Sequence, residues 1–132
     1  MILYNPRKGF EIIRNLINYM PSYNWIPLEK FTPIEMKNIM LKSKVYVDFG
    51  NHPGKDRIPR EAAICGCVII TNKIGAAYNN LDIPINEEFK FQNPIEEKEN
   101  FKNLIDNIFI DFEKYFQEYN FYRCKIKEEE KL

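Results

Sequence analysis

The apolar positions of this 132-residue chain alternate between short continuous runs and stripes at helical spacing, and that alternation sets the expected fold. Ile2 to Tyr4 is a brief apolar run ending at the turn Asn5-Pro6-Arg7-Lys8-Gly9. From Phe10 to Met20, residues Phe10, Ile13, Ile17 and Met20 return at the spacing of one helix face, and Ile12 and Leu16 widen the stripe. Pro21 ends it. Tyr23 to Leu28 predicts a weak strand. Pro27 has no N–H to give to a ladder and confines that strand to a sheet edge or strand end. Thr32-Pro33-Ile34-Glu35 opens the next helix, with Thr32 as cap, Pro33 at the first helical position and Glu35 reaching back to close a capping box. Its inner face is Met36, Ile39 and Met40, and it runs as far as Ser43.

Val45 to Phe49 and Cys67 to Thr71 are runs of the kind buried on both faces of a parallel sheet. A short helix from Ile58 to Gly66 joins them, with Pro59 and Glu61 read as belonging to its first turn. Phe89 to Phe91 is a final short strand. Asn93-Pro94-Ile95-Glu96 repeats the cap signal and predicts a helix of about 25 residues, longer than most globular helices. Its stripe includes Phe101, Leu104, Ile108, Phe112, Phe116 and Tyr119. Strand–helix alternation predicts an α/β fold: a doubly wound, mostly parallel sheet of about five strands, helices on both faces and a long C-terminal helix. Residues 1–124 are expected to form one domain, and 125–132 a charged tail that frays. A core strand so near residue 1 reads as a piece of a longer chain.

Composition narrows the function classes. Lys plus Arg equals Asp plus Glu, 19 against 19, so no bulk positive field points to nucleic acid as a partner. The three cysteines, Cys65, Cys67 and Cys124, are expected to be buried reduced thiols. A metal site would need more Cys or His close by, and His52 is the single histidine, so no metal is expected. No run is apolar for long enough to span a bilayer, and the start lacks a cationic region followed by a long apolar stretch. The expected location is cytoplasmic, with peripheral association at the inner face of a membrane left open.

Candidate chemistry gathers in three loops. Lys8 stands beside Gly9 at a strand-to-helix turn, where helix N–H groups and a cation can face one anion such as a phosphate. A solvated pair at a helix start is the plainer reading. The segment Asn51-His52-Pro53-Gly54-Lys55-Asp56-Arg57, followed by Arg60-Glu61, adds cationic side chains and, at Gly54, room for close backbone approach. Glu61 has two readings: a complement to the helix dipole, or an acceptor for two sugar hydroxyls of the kind a carboxylate provides to ribose in nucleotide-binding α/β folds. His52 is the one candidate for a catalytic group, and a loop hydrogen-bonder is its plainer role. Asp48 is read as a satisfied, half-buried acid. The loop from Asn72 to Ala77 can bring Gly75 and backbone amides to a diphosphate. The aromatic wealth lies mostly at core spacing.

The turn at Lys8-Gly9, the segment Pro59-Arg60-Glu61-Ala62-Ala63-Ile64-Cys65-Gly66-Cys67-Val68-Ile69 and the loop Ile74-Gly75-Ala76 together resemble the C-terminal donor-binding half of a GT-B-type glycosyltransferase. The likeness is to enzymes of bacterial capsule and surface-polysaccharide synthesis and covers roughly residues 1–95. Its most specific element is Glu-Ala-x-x-x-Gly-x-Val-Ile. The resemblance implies a Rossmann-like domain and no cofactor beyond a nucleoside-diphosphate sugar as donor substrate. Glu61 would bind the ribose, Lys8 and Arg7 the diphosphate, with Asn51, His52, Gly54, Lys55, Arg57, Arg60 and Gly75 around it. It also implies an acceptor glycan or lipid-linked glycan, and an N-terminal domain or partner chain to hold it. Many retaining members carry a second glutamate eight positions before the first; here that position is Pro53, flanked by His52 and near Asn51 as substitutes. The alternative is a non-catalytic nucleotide-binding or protein-interaction module of flavodoxin-like fold. A receiver-like signalling domain fits poorly, because the acid pair expected after the first strand is missing.

Overall fold

A computed structural model describes residues 1–50, 57–72, 85 and 87–130, the side chain of Glu130 excepted. Its centre is a five-stranded parallel sheet: β1 (Ile2–Tyr4), β2 (Trp25–Pro27), β3 (Val45–Asp48), β4 (Val68–Asn72) and β5 (Lys90–Phe91). The strands lie in the order β2-β1-β3-β4-β5, so the doubly wound α/β fold predicted from the sequence is what the chain adopts. β1, β3 and β4 are buried throughout, as uninterrupted apolar runs require. β2 is an edge strand, and Pro27 sits there at little cost.

The helices are α1 (Phe10–Tyr19), α2 (Pro33–Leu41), α3 (Arg57–Ile64), α4 (Lys98–Ile110), α5 (Phe112–Glu118) and α6 (Asn120–Glu130). Right-handed crossovers put α1, which steps from β1 out to β2, on one face of the sheet. α2 and α3 step the other way and lie on the opposite face. The capping box of α2 forms as read: Thr32 Oγ1 accepts the Glu35 N–H at 3.2 Å, and the Thr32 N–H donates to Glu35 Oε1 at 3.0 Å. α4 joins the α1 side. Its Phe101 ring packs among Trp25, Phe49 and Phe91 with centroid separations of 5.8 to 6.3 Å.

The long C-terminal helix is three helices. Asp111, at φ −133° and ψ 62°, breaks the first from the second, and a second break near Tyr119 separates α5 from α6. α5 passes the N-terminal ends of β3 and β4, where the Lys44 ammonium lies 5.5 Å from the Phe112 ring centroid and Phe116 faces Gly66. α6 then packs on α3. One straight helix would have carried Tyr119, Tyr122 and Ile126 off the sheet, whereas the breaks bury all three. The expected frayed tail is therefore helical from 125 to 130, held by Ile126 and by an ion pair from Glu129. Asn93 also differs from its reading as a helix cap. Its side chain closes a turn, accepting the Glu96 N–H at 3.3 Å, and α4 begins at Lys98.

Candidate functional site

The strand order reverses direction between β1 and β3, because the chain runs from β1 out to β2 and then returns past β1. At such a point the loops leaving the two strands diverge to opposite faces, and a crevice opens beyond their carboxyl ends. The loop after β1 is Asn5 to Gly9, and the loop after β3 begins at Phe49-Gly50.

Local chemistry builds the first loop. Asn5 is buried and accepts twice: its Oδ1 takes the Arg7 N–H at 3.0 Å and its carbonyl takes the Lys8 N–H at 3.1 Å. Gly9 follows at φ 62° and ψ 33°, a left-handed conformation that a side chain makes costly. Gly9 is also the N-cap of α1, and no side chain caps the helix there. The first N–H groups of α1 therefore lack the side-chain acceptor that usually meets them.

Close packing joins this loop to its neighbours. A Cβ on Gly9 would lie 2.1 Å from the Phe49 carbonyl oxygen, and one on Gly50 would lie 2.4 Å from the Lys8 Cβ. Gly9 lets the β1 loop touch the backbone at the end of β3, and Gly50 makes room for the stem of the Lys8 side chain. From β4, Asn72 Nδ2 donates to the Gly50 carbonyl at 2.9 Å. Asp48, 1% exposed, accepts the Gly50 N–H at 3.2 Å and the Tyr46 hydroxyl at 2.8 Å, so this acid is fully buried and holds the loop. Three strand ends are thus stitched into one edge. Two buried groups in it, Asn72 Oδ1 and Thr71 Oγ1, have no hydrogen-bond partner among the described residues. An unmet buried polar group costs about 1–3 kcal/mol, which a ligand group placed against it would recover.

Arg7 and Lys8 thus stand at the reversal point. The α3 residues are arranged differently. The helix begins at Arg57, not Ile58, which moves Glu61 beyond the first turn and weakens its explanation as a dipole complement. Pro59 falls in the opening turn, where its missing N–H has no helical partner to lose. Glu61 Oε1 accepts from Arg57 Nε at 2.7 Å, a largely exposed pair that raises the Arg57 pKa. Glu61 also lines a groove between α2 and α3 with Phe31, Met36, Ile58 and Ile64. Arg60 turns the other way. Its Nη1 meets Glu129 Oε2 of α6 at 2.8 Å, with the two side chains only 16% and 21% exposed, so Arg60 clamps α6 to α3. Asn51, His52, Gly54, Lys55 and Gly75, with Pro53, lie outside the described residues.

Sequence reasoning placed Asn72 at the start of the loop after β4, whereas it is the last residue of that strand and its side chain ties the strand to the β3 loop. Its signal was the polar pair Thr71-Asn72 closing an otherwise apolar strand. Among the cysteines, Cys67 is buried and Cys65 half-buried as thiols, whereas Cys124 is exposed, contrary to its expected burial. Among the described residues no cluster of His, Cys, Asp or Glu can hold a metal ion, and no helix is long and apolar enough to cross a membrane. No protein-family model matches the chain, and no curated protein matches it.

Proposed function

We propose that this chain is the donor-binding half of a glycosyltransferase, holding a nucleoside-diphosphate sugar beyond the carboxyl ends of β1 and β3. One observation carries the reading: the Lys8-Gly9 turn, with the uncapped start of α1 behind it, is seated on Phe49-Gly50 at the reversal point of the sheet. Helix N–H groups and a cation side by side suit a diphosphate. Lys8 and Arg7 would neutralise it, and the same groups would stabilise the charge that grows on it as the sugar leaves. Glu61 would take the ribose hydroxyls. Its present partner Arg57 is little obstacle, because an exposed pair of this kind is worth about 0–1 kcal/mol.

The acceptor, a glycan or lipid-linked glycan, would be held by a further domain or partner chain, in the cytoplasm or at the inner face of the membrane. One observation favours the alternative, a non-catalytic nucleotide-binding or interaction module: the order β2-β1-β3-β4-β5 is that of flavodoxin-like sheets.

Calorimetric or NMR titration of the chain with UDP, GDP, ADP and their sugar conjugates separates the readings. The donor reading expects one base to bind in the millimolar range or tighter. It expects Lys8→Ala and Glu61→Ala each to weaken binding roughly tenfold without unfolding the protein, the scale of one lost charged hydrogen bond. Absence of binding at millimolar nucleotide would sink it. A nucleotide that binds regardless of Glu61 and of the attached sugar would favour the module.

A further inference from the structure

The outward face of α2 does not look like the solvent face of an ordinary surface helix. Met36, Ile39 and Met40 turn inward. On the opposite side, Ile34 and Leu41 stand two turns apart on one line and are 75% and 56% exposed. Lys37 and Asn38 lie between them, both exposed. Along one flank this face continues into the α2–α3 groove lined by Phe31, Met36 and Ile58, with Lys37 on the shared border. The charge around it is biased, although the chain as a whole is neutral. Lys30, Lys37 and Lys42 are exposed within residues 29–42, against the acids Glu29 and Glu35. Glu35 is engaged in the capping box, and the hydrogen bonds of Thr32 lower its pKa.

We infer that this face of α2 is the surface by which the chain lies on an anionic lipid bilayer, with Ile34 and Leu41 entering the headgroup–acyl boundary and the lysines meeting the headgroups. Large apolar side chains raised on a convex helix and flanked by lysines suit a bilayer surface. A second copy of the chain suits it less, because a two-fold contact would lay one lysine-flanked face on another of the same sign. α2 packs along one face of the sheet, so the crevice beyond β1 and β3 would open sideways at the bilayer surface, where a lipid-linked acceptor presents its head. The surface gives the peripheral placement proposed above its contact face, and vesicle binding is read independently of nucleotide binding.

Flotation of the full chain with vesicles of phosphatidylcholine, alone or mixed with phosphatidylglycerol, tests this. Binding is expected to the mixed vesicles only and to fall as salt rises. The double variant Ile34→Asp/Leu41→Asp should lower the bound fraction roughly tenfold or more, given the apolar area lost. Lys37→Glu/Lys42→Glu should act in the same direction, while both variants keep the wild-type circular dichroism, since all four side chains are exposed. Failure to bind anionic vesicles, or binding that survives both double variants, would overturn the assignment. So would a concentration-dependent dimer on a sizing column that Ile34→Asp/Leu41→Asp abolishes, because a second copy would then cover the face.

Discussion

Replacing Gly9 with alanine tests whether the β1 loop rests on the end of β3 as described, and the cost can be worked from two terms. Gly9 adopts φ 62° and ψ 33°, where an alanine pays roughly 1–2 kcal/mol for the approach of its Cβ to the following carbonyl. The same Cβ would also lie 2.1 Å from the Phe49 carbonyl oxygen and 2.7 Å from the carbonyl carbon. These are backbone atoms of a buried residue at the end of a hydrogen-bonded strand, so no side-chain rotation relieves the overlap. Overpacking of this kind costs about 1–3 kcal/mol.

The sum, about 2–5 kcal/mol, is a large share of the 5–15 kcal/mol by which domains are usually stable. For a domain of this size it corresponds to a drop in thermal midpoint on the order of 10 °C. Urea unfolding followed by circular dichroism gives the free-energy change, and nucleotide titration of the folded variant reports whether Lys8 has been displaced. Gly50→Ala is the comparison. Its new Cβ would press on Lys8 Cβ at 2.4 Å, so its effect should fall more on ligand binding than on stability. An unchanged midpoint for Gly9→Ala would refute the seating of the loop, and with it the argument that a diphosphate site is built there.

Two further outcomes follow from the packing. Tyr119 is buried and donates its hydroxyl to the Ile69 carbonyl in the middle of β4, so Tyr119→Phe leaves that acceptor bare and should cost about 1–3 kcal/mol in urea unfolding; a neutral substitution would mean the contact is not made in solution. Burial pushes the Cys67 thiol up to about 12, and its sulfur donates to the Met40 carbonyl at 3.3 Å, so iodoacetamide near pH 8 should label Cys124 rapidly, Cys65 slowly and Cys67 only after denaturation. Peptide mass spectrometry that found Cys67 labelled in the native protein as fast as Cys124 would contradict the burial of Cys67 at the entry to β4.

Much of the fold was legible because its signals are local. The Thr32 capping box, the helical spacing from Phe10 to Met20 and the apolar runs at Val45 and Cys67 act within a turn or a strand, and each formed where it was read. Gly66, placed as the end of α3, has φ 99° and does end it. Lys8-Gly9 could likewise be read as a turn ahead of a helix. What the chain alone did not contain was the partner of each local piece. No glycine or proline marks the break at Asp111, and the apolar stripe runs on through it at helical spacing; the break exists because α6 gains more by packing on α3 than a straight helix would by leaving the sheet. Arg60 read as one more cation near a site until Glu129, from the far end of the chain, reached it. The Lys8-Gly9 turn became part of a candidate site only when the strand order set β1 beside β3, bringing the Phe49 carbonyl against Gly9 and Asn72 against Gly50. Propensity and capping are short-range, so sequence determined the elements. Strand neighbours and helix docking depend on contacts between distant residues, so only the tertiary structure decided which loops share an edge.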